Sequence, residues 1–292
     1  MATKVILDTD IGSDIDDAVA LAYLLAQPEC DLLGVTTVSG SGLERAKMAS
    51  ALCKVAGVDI PIHPGVEKPI LIEQKQAECH QAPRLPNWPH DTDFPRGQAI
   101  EFLRGTIEGN PGEVVLLTIG PLTNAGLLFA THPEVASKLK ALVMMCGVFT
   151  NRLAGAGPRE WNAICDPHAT AIAYRAPATP HRSIGLDVTC QVTMPAEEVR
   201  GRFTHELLKP VADFAEVWFE RRSQITFHDP LAAVTIFDEE VCGFTRGRVD
   251  VEVTSERVLG MTHWQADENG PHEVALEVNA ERFFEDYFSV FD

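Results

Sequence analysis

The stretch ILDTDIGSDIDDAVAL, residues 6–21, decides how the rest of the chain is read. Two apolar runs are joined there by a turn holding Asp8, Asp10, Asp14, Asp16 and Asp17. The preceding KVILD (4–8) is short, apolar and β-branched, the pattern of a buried strand. The following DDAVALAYLLAQPE puts Ala18, Leu21, Ala22 and Leu25 on one helical face, with Pro28 as its stop. A strand feeding a helix through so short a turn opens a parallel α/β sheet. Ligands of such sheets bind beyond the carboxyl ends of the strands, and the acidic turn stands at one such end.

Capping of a helix N-terminus explains one or two of these residues, Asp16 or Asp17. Five neighbouring carboxylates need more: either they are spread out and solvated, or a positive charge sits among them. Carboxylate oxygens are hard ligands suited to Ca²⁺ or Mg²⁺.

Working outward, DLLGVTTVSG (31–40) reads as a strand and LERAKMASALCKVAG (43–57) as a helix closed by Gly57. The alternation resumes with strand EVVLLTIG (113–120), helices on LTNAGLLFATH and EVASKLKA, and strand LVMMCGVF (142–149). A helix on PHATAIAYRA and a strand on HRSIGLDVT follow. After helical LLKPVADFAEVWFERRS and PLAAVTIFD, the segments RVDVEVTSE, MTHWQAD and HEVALEVN alternate as antiparallel strands do, before a last helix on AERFFEDYFSVF. The expected fold is α/β: a mostly parallel central sheet with helices on both faces, plus C-terminal antiparallel strands, as one domain over 1–292. Residues 73–97 and 150–162 interrupt the pattern and read as binding loops or lids.

Bulk properties narrow the function. The 292 residues are 45% hydrophobic and 23% charged, ordinary for a globular chain. Acidic residues outnumber basic ones 42 to 24, a net charge of −18. That argues against binding to a nucleic-acid backbone or an anionic membrane. No apolar stretch nears the roughly 18 residues of a membrane span, and the N-terminus lacks the pattern of a signal peptide. The seven cysteines are odd in number and form no C-x-x-C pair. They read as reduced thiols of a cytoplasmic protein, not as a disulfide frame or zinc site.

Two later motifs share the strand-to-helix character of the first. In TFHDPLAAV (226–234), Pro230 fits the first helical position and Asp229 the N-cap; Asp166–Pro167 repeats the pair. Capping accounts for both Asp residues and leaves His228 open. A lone His is readily structural or exposed. If Asp229 joins the acidic turn, His228 stands at the rim as a proton donor. TIGPLTNAG (118–126) lies at the same sheet edge and reads as a connection whose backbone carbonyl is of the type that ligates a hard cation.

Taken together, DTDIGSDIDDAVAL, TTVSG, IGPLTN, EWNAICDPHA and HDPLA resemble, in order and over nearly the whole chain, the inosine–uridine-preferring nucleoside hydrolase family. The resemblance implies a tightly bound Ca²⁺ and hydrolysis of the N-glycosidic bond of a nucleoside, giving ribose and free base. It puts the metal ligands on Asp10, Asp17, Asp229 and the backbone carbonyl of Thr123. Asp16 matches the carboxylate on the ribose hydroxyls, Glu160 and Asn162 match further ribose positions, and His228 matches the donor to the departing base. Ca²⁺ is a weak acid, so the attacking water needs a base, and Asp10 is the candidate. Members are often dimers or tetramers, so a homo-oligomer is expected.

The chain departs from the family pattern in several places. Two extra residues separate Gly12 from Asp16–Asp17, which makes Asp14 an addition. Ser41 and Ala154 stand where the family commonly has sugar-binding Asn, although Asn151 is close. His80, in ECHQAP, matches a loop His near the base, without the usual glycines. These departures keep open a different or modified N-ribosyl substrate, or a non-catalytic ribose-binding protein. Phosphoryl transfer would need Lys or Arg at the metal, and none adjoins the acidic motif in sequence.

Overall fold

The sequence folds into alternating strands and helices from its first residues. The computed structural model describes residues 2–151 and 157–292. It begins with β1 (Thr3–Thr9), α1 (Asp16–Ala26), β2 (Cys30–Thr37), α2 (Gly42–Ala56) and the short β3 (Ile62–Pro64). A 3₁₀ turn at Ala82–Asn87 and α3 (Ala99–Gly109) lead to β4 (Val114–Thr118), α4 (Thr123–Thr131), a second 3₁₀ segment at Pro133–Lys138 and β5 (Ala141–Met145). Next come α5 (Trp161–Cys165), α6 (Pro167–Arg175), β6 (His181–Ile184), α7 (Leu186–Thr189), β7 (Thr193–Pro195), α8 (Ala196–Arg202) and α9 (Leu208–Phe219). The chain finishes with β8 (Gln224–Thr226), α10 (His228–Val234), β9 (Cys242–Val251), β10 (Thr262–Ala266), β11 (His272–Val278) and α11 (Ala280–Ser289).

Nine strands form one sheet in the order β10-β9-β11-β6-β5-β4-β1-β2-β3, while β7 and β8 pair apart from it. β1 pairs in parallel with β2 on one side and β4 on the other. The chain therefore builds outward from β1 to β3, then returns and builds the other way from β4. That reversal opens a crevice at the carboxyl ends of β1 and β4. The acidic turn leaves β1 there, and Ile119–Gly120–Pro121 leaves β4.

Both faces of the sheet are covered, which is why its strands read as continuous apolar runs. Val5 and Leu7 of β1, with Val115 and Leu117 of β4, pack under α1, α2, α9, α10 and α11. Their neighbours Ile6, Val114 and Leu116 point the other way, under α3, α4 and α6. The two-residue side-chain period of a strand thus supplies both cores.

The C-terminal strands are antiparallel as expected: β9 pairs antiparallel with β10 and β11, and β11, parallel to β6, joins them to the main sheet. Two elements differ from the expectation. HRSIGLDVT splits at Gly185, which ends β6 and precedes α7. Residues 99–109, not assigned from the pattern, form α3; Leu103 and Ile107 are buried, and Gly105 between them obscures the period. All seven cysteines are free thiols. Among the described residues no helix is long and apolar enough to cross a membrane.

Candidate active site

The acidic turn resolves into residues with different duties. Asp8 is fully buried within β1 and accepts from Thr36 Oγ1 (2.5 Å) and Asn124 Nδ2 (2.7 Å), tying β1 to β2 and α4. Burial pushes its carboxyl up to about 7. Gly12 adopts φ +110°, where a side chain would run into Cys79 Sγ and Met48 Sδ. In the two-residue extension, Ile15 enters the core and Asp14 lines the crevice. Asp14 accepts from the amide of Ile15 (2.6 Å), and burial pushes its carboxyl up to about 7.

Asp16 and Asp17 open α1, and Asp229 lies in the first turn of α10. One carboxylate oxygen from each of the three lies within 4.8 Å of the others. Each is 3% exposed, and Asp10 is 5% exposed, so water screens none of them well. Asp17 accepts from Thr9 Oγ1 (2.5 Å) and the amide of Asp10 (3.1 Å); Asp16 accepts from the amide of Asp229 (3.3 Å). Asp10 lines the same cavity, with its carboxylate bonded to the side-chain amide of Gln76. Burial, then mutual repulsion, raises the carboxyl pKa of Asp16, Asp17 and Asp229 well above the ordinary value. Asp10 is raised by burial, against the pull of Arg45. Clustered hard oxygens with this much unrelieved repulsion fit a divalent cation.

These carboxylates line a cavity of about 690 Å³ together with Ile119, Glu160, Trp161, Asn162, His80 and His228. That volume lies in the range of small-molecule sites. Glu160 caps α5, accepting from the amides of Asn162 (2.5 Å), Ala163 (2.9 Å) and Gly147 (3.3 Å). Asn162 Nδ2 donates to the carbonyls of Ile119 (2.8 Å) and Met145 (3.0 Å), joining the ends of β4 and β5. The pair thus forms a helix start, and both residues line the cavity. His228 Nδ1 is 2.7 Å from Thr189 Oγ1, and burial pushes its pKa down to about 4.

Thr123 is buried at the start of α4, where its hydroxyl donates to Asp166 Oδ2 (2.8 Å). Ile119, earlier in the same connection, lines the cavity. Ser41 stands off the cavity wall. Its backbone is left-handed (φ 48°) and its hydroxyl donates to the carbonyl of Ala77 (2.8 Å), bracing the loop over the site. His80 does line the cavity, with Nδ1 3.4 Å from Glu78 Oε2. Ala154 lies outside the described residues.

The fold also brings in residues that sequence reasoning missed. Gln74, Lys75 and Gln76 come from the Pro-rich loop, and Trp218 and Arg222 from the end of α9 and the turn beyond. Arg45 is fully buried beneath the acidic turn. Its spacing was a usable signal, since it shares one helical face with Met48, Ala49 and Leu52.

The sequence profile described as inosine-uridine preferring nucleoside hydrolase matches residues 5–285. The chain belongs to that family. Uridine nucleosidase 1 of Arabidopsis thaliana is 29% identical over 275 residues, covering 85% of this chain and 78% of its own. The pyrimidine-specific ribonucleoside hydrolase RihA of Shewanella sp. strain MR-7 is 32% identical over 287 residues, covering 90% and 86%. A solved structure of a purine-preferring ribonucleoside hydrolase from Gardnerella vaginalis matches with a TM-score of 0.85 over 99% of this chain and 98% of that one, at 23% identity. That last likeness is one of fold. Family membership makes the chain an enzyme, a hydrolase, and so disfavours a purely ribose-binding role.

Proposed function

We propose that this nucleoside hydrolase cleaves the N-glycosidic bond of ribonucleosides in a Ca²⁺-dependent reaction, with Asp10 taking a proton from the attacking water. The observation that carries the reading is the convergence of Asp16 and Asp17, from one end of the chain, with Asp229, from the other, in a cavity shared with His228. Asp17 and Asp229 would hold the ion, with Asp10 and, by the family resemblance, the backbone carbonyl of Thr123 completing an all-oxygen set. Bound there, Ca²⁺ supplies the charge that lets these carboxylates ionise together and a centre that orients the vicinal ribose hydroxyls. Asp16 offers its carboxylate to those hydroxyls. Asn162, with its amide nitrogen committed to two carbonyls, has Oδ1 left to accept from the sugar. Positive charge that grows on the ribosyl carbon is stabilised by Asp16 and Glu160. Nδ1 of His228 is paired with Thr189 Oγ1 (2.7 Å); in the tautomer where Nδ1 accepts, the ring proton is on Nε2 as a hydrogen-bond donor to the departing base.

The test is a panel of purine and pyrimidine nucleosides scored for released reducing sugar, with elemental analysis of dialysed protein. The expected result is one tightly held Ca²⁺ per chain and sugar release that a chelator stops and Ca²⁺ restores. Release from none of the panel, or calcium-free protein with chelator-insensitive turnover, overturns the reading. Ser41 favours a second one. Its hydroxyl is engaged by Ala77 and not at the sugar, which suits a modified nucleoside or another N-ribosyl compound. Such substrates therefore belong in the panel.

A further inference from the structure

The side chain of Gln76 bridges two groups that stand 66 and 85 residues away in sequence. Its Nε2 donates to Asp10 Oδ2, and its Oε1 accepts from Trp161 Nε1 (2.5 Å). The direction of the amide follows from its partners. An indole N–H only donates and an ionised carboxylate only accepts, so the reversed amide would satisfy neither. Gln76 is half-buried and Trp161 is 48% exposed, so the bridge runs from the surface down to the buried Asp10.

Both ends of the bridge are held. The loop is braced from the β2–α2 connection and α2. Ser39 Oγ donates to the carbonyl of Gln76 (3.5 Å), Ser41 Oγ to that of Ala77 (2.8 Å), and Arg45 to that of Glu78 (3.3 Å). The amide of Gln76 donates to Gln74 Oε1 (2.7 Å). Trp161 is the first residue of α5, which Glu160 caps. At Asp10 the two carboxylate oxygens are set apart. Oδ2 faces Gln76, while Oδ1 lies over Gly120, where an added Cβ would stand 2.7 Å from it. The backbone after β4 thus bounds one oxygen and Gln76 holds the other, which fixes the rotation of the carboxylate. An oxygen bonded to Gln76 keeps a second lone pair for a proton.

Resting on the function proposed above, we propose that Gln76 is a positioning residue for Asp10: it holds the carboxylate in the orientation that accepts the water proton, and Trp161 holds Gln76. Gln76 itself bonds neither the sugar nor the departing base. Its effect falls on the attack of water, a step that every substrate shares, and not on recognition of the leaving group. Trp161 stands between Glu160 and Asn162, the two residues assigned to the sugar. The bridge therefore sets Asp10 against the segment that holds the ribose.

The test compares native protein with Gln76→Met, Gln76→Glu and Trp161→Phe, with Ca²⁺ present, on uridine and p-nitrophenyl β-riboside. The second carries the sugar without a nucleobase. Q76M keeps the length of the side chain and loses both polar ends. It should lower kcat by about 10- to 100-fold, the size of one hydrogen bond to a charged group, with KM within about threefold of native. The loss should be alike on the two substrates. Q76E keeps an oxygen for Trp161 and sets a second carboxylate against Asp10, so it should lose at least as much. W161F removes only the outer bond and should cost about 3- to 10-fold. The bridge also has a readout apart from activity. Of the four indole N–H resonances in a proton–nitrogen spectrum, the one absent from W161F is that of Trp161. It should move in Q76M while the other three stay in place. Four outcomes overturn the proposal while native turnover stands: a loss on uridine alone, which marks a contact with the nucleobase; a change confined to KM; a Q76E rate near native; or an unmoved Trp161 resonance. Native protein that cleaves neither substrate overturns the functional reading and this proposal with it.

Discussion

Arg45→Met removes the guanidinium that binds the acidic turn from beneath. Arg45 is fully buried and donates to the carbonyls of Asp10, Ile11 (3.0 Å), Ser39 (2.6 Å), Gly40 (2.8 Å) and Glu78 (3.3 Å), and to Ser13 Oγ (2.9 Å). Three separate segments meet on this one side chain: the turn after β1, the β2–α2 connection and the loop over the site. Methionine replaces the apolar stem and leaves the carbonyls without that donor. One unsatisfied buried group costs about 1–3 kcal/mol, and losses within one network do not add. Removing one side of a buried charge network costs about 3–5 kcal/mol, so about 4 kcal/mol is expected here. At about 2 °C per kcal/mol for a chain of this size, Tm should fall by about 8 °C. Arg45 also lowers the carboxyl pKa of Asp10 and Asp17, so its loss leaves them more repelled, and Ca²⁺ should restore part of the fall. Calorimetry at pH 7, with Ca²⁺ and with chelator, measures both. A variant that melts within about 1 °C of native in both buffers refutes the reasoning.

Three further outcomes are expected. Asp10→Ala should lower turnover by about 10³-fold or more, since it removes the proposed base and a ligand together, and steady-state rates near native would end that assignment. His228→Ala should slow nucleosides with poor leaving groups by about 10- to 100-fold and activated ribosides much less; equal losses would remove its role at the base. His181 is fully buried with neither ring nitrogen hydrogen-bonded among the described residues, and burial pushes its pKa down to about 3. Its folded pKa lies below the unfolded value of about 6.5, so its stability contribution is full above 6.5 and falls as pH drops towards 3. Between pH 6.5 and 4 the loss is about 3 kcal/mol, and His181→Phe should remove it; denaturant midpoints for the two proteins that track in parallel across this range would contradict it.

Much of the architecture was legible because its signals are local. The apolar run before Asp8, the helical face of Ala18, Leu21 and Ala22, and the Pro230 helix start are each set within a few residues. The same locality made Asp16 and Asp17 visible, whereas Asp229 follows β8, outside the main sheet, and was joined to them only through the family resemblance. Less legible was anything set by backbone conformation or by distant partners. In TIGPLTN the strand stops at Thr118, which leaves Ile119 on the cavity wall and Thr123 at the start of a helix. Ser41 has the composition of a sugar contact, but its left-handed backbone turns the hydroxyl to Ala77. Arg222 lies over 200 residues from the acidic turn in sequence, and the packing of α9 brings it to the cavity that Asp14 also lines.

The cavity wall has two kinds of origin. Asp10, Asp16, Asp17, Asn162 and Asp229 are buried and fixed by the ends of strands and the first turns of helices, so changing them disturbs the sheet's own hydrogen bonds. Arg222 is exposed and lies beyond the end of α9, where a substitution touches no core residue. Selection can therefore revise the exposed part of the wall in single steps that leave folding intact, whereas the buried part can change only in concert. A scaffold split in this way would diversify quickly on one side of its cavity and hardly at all on the other.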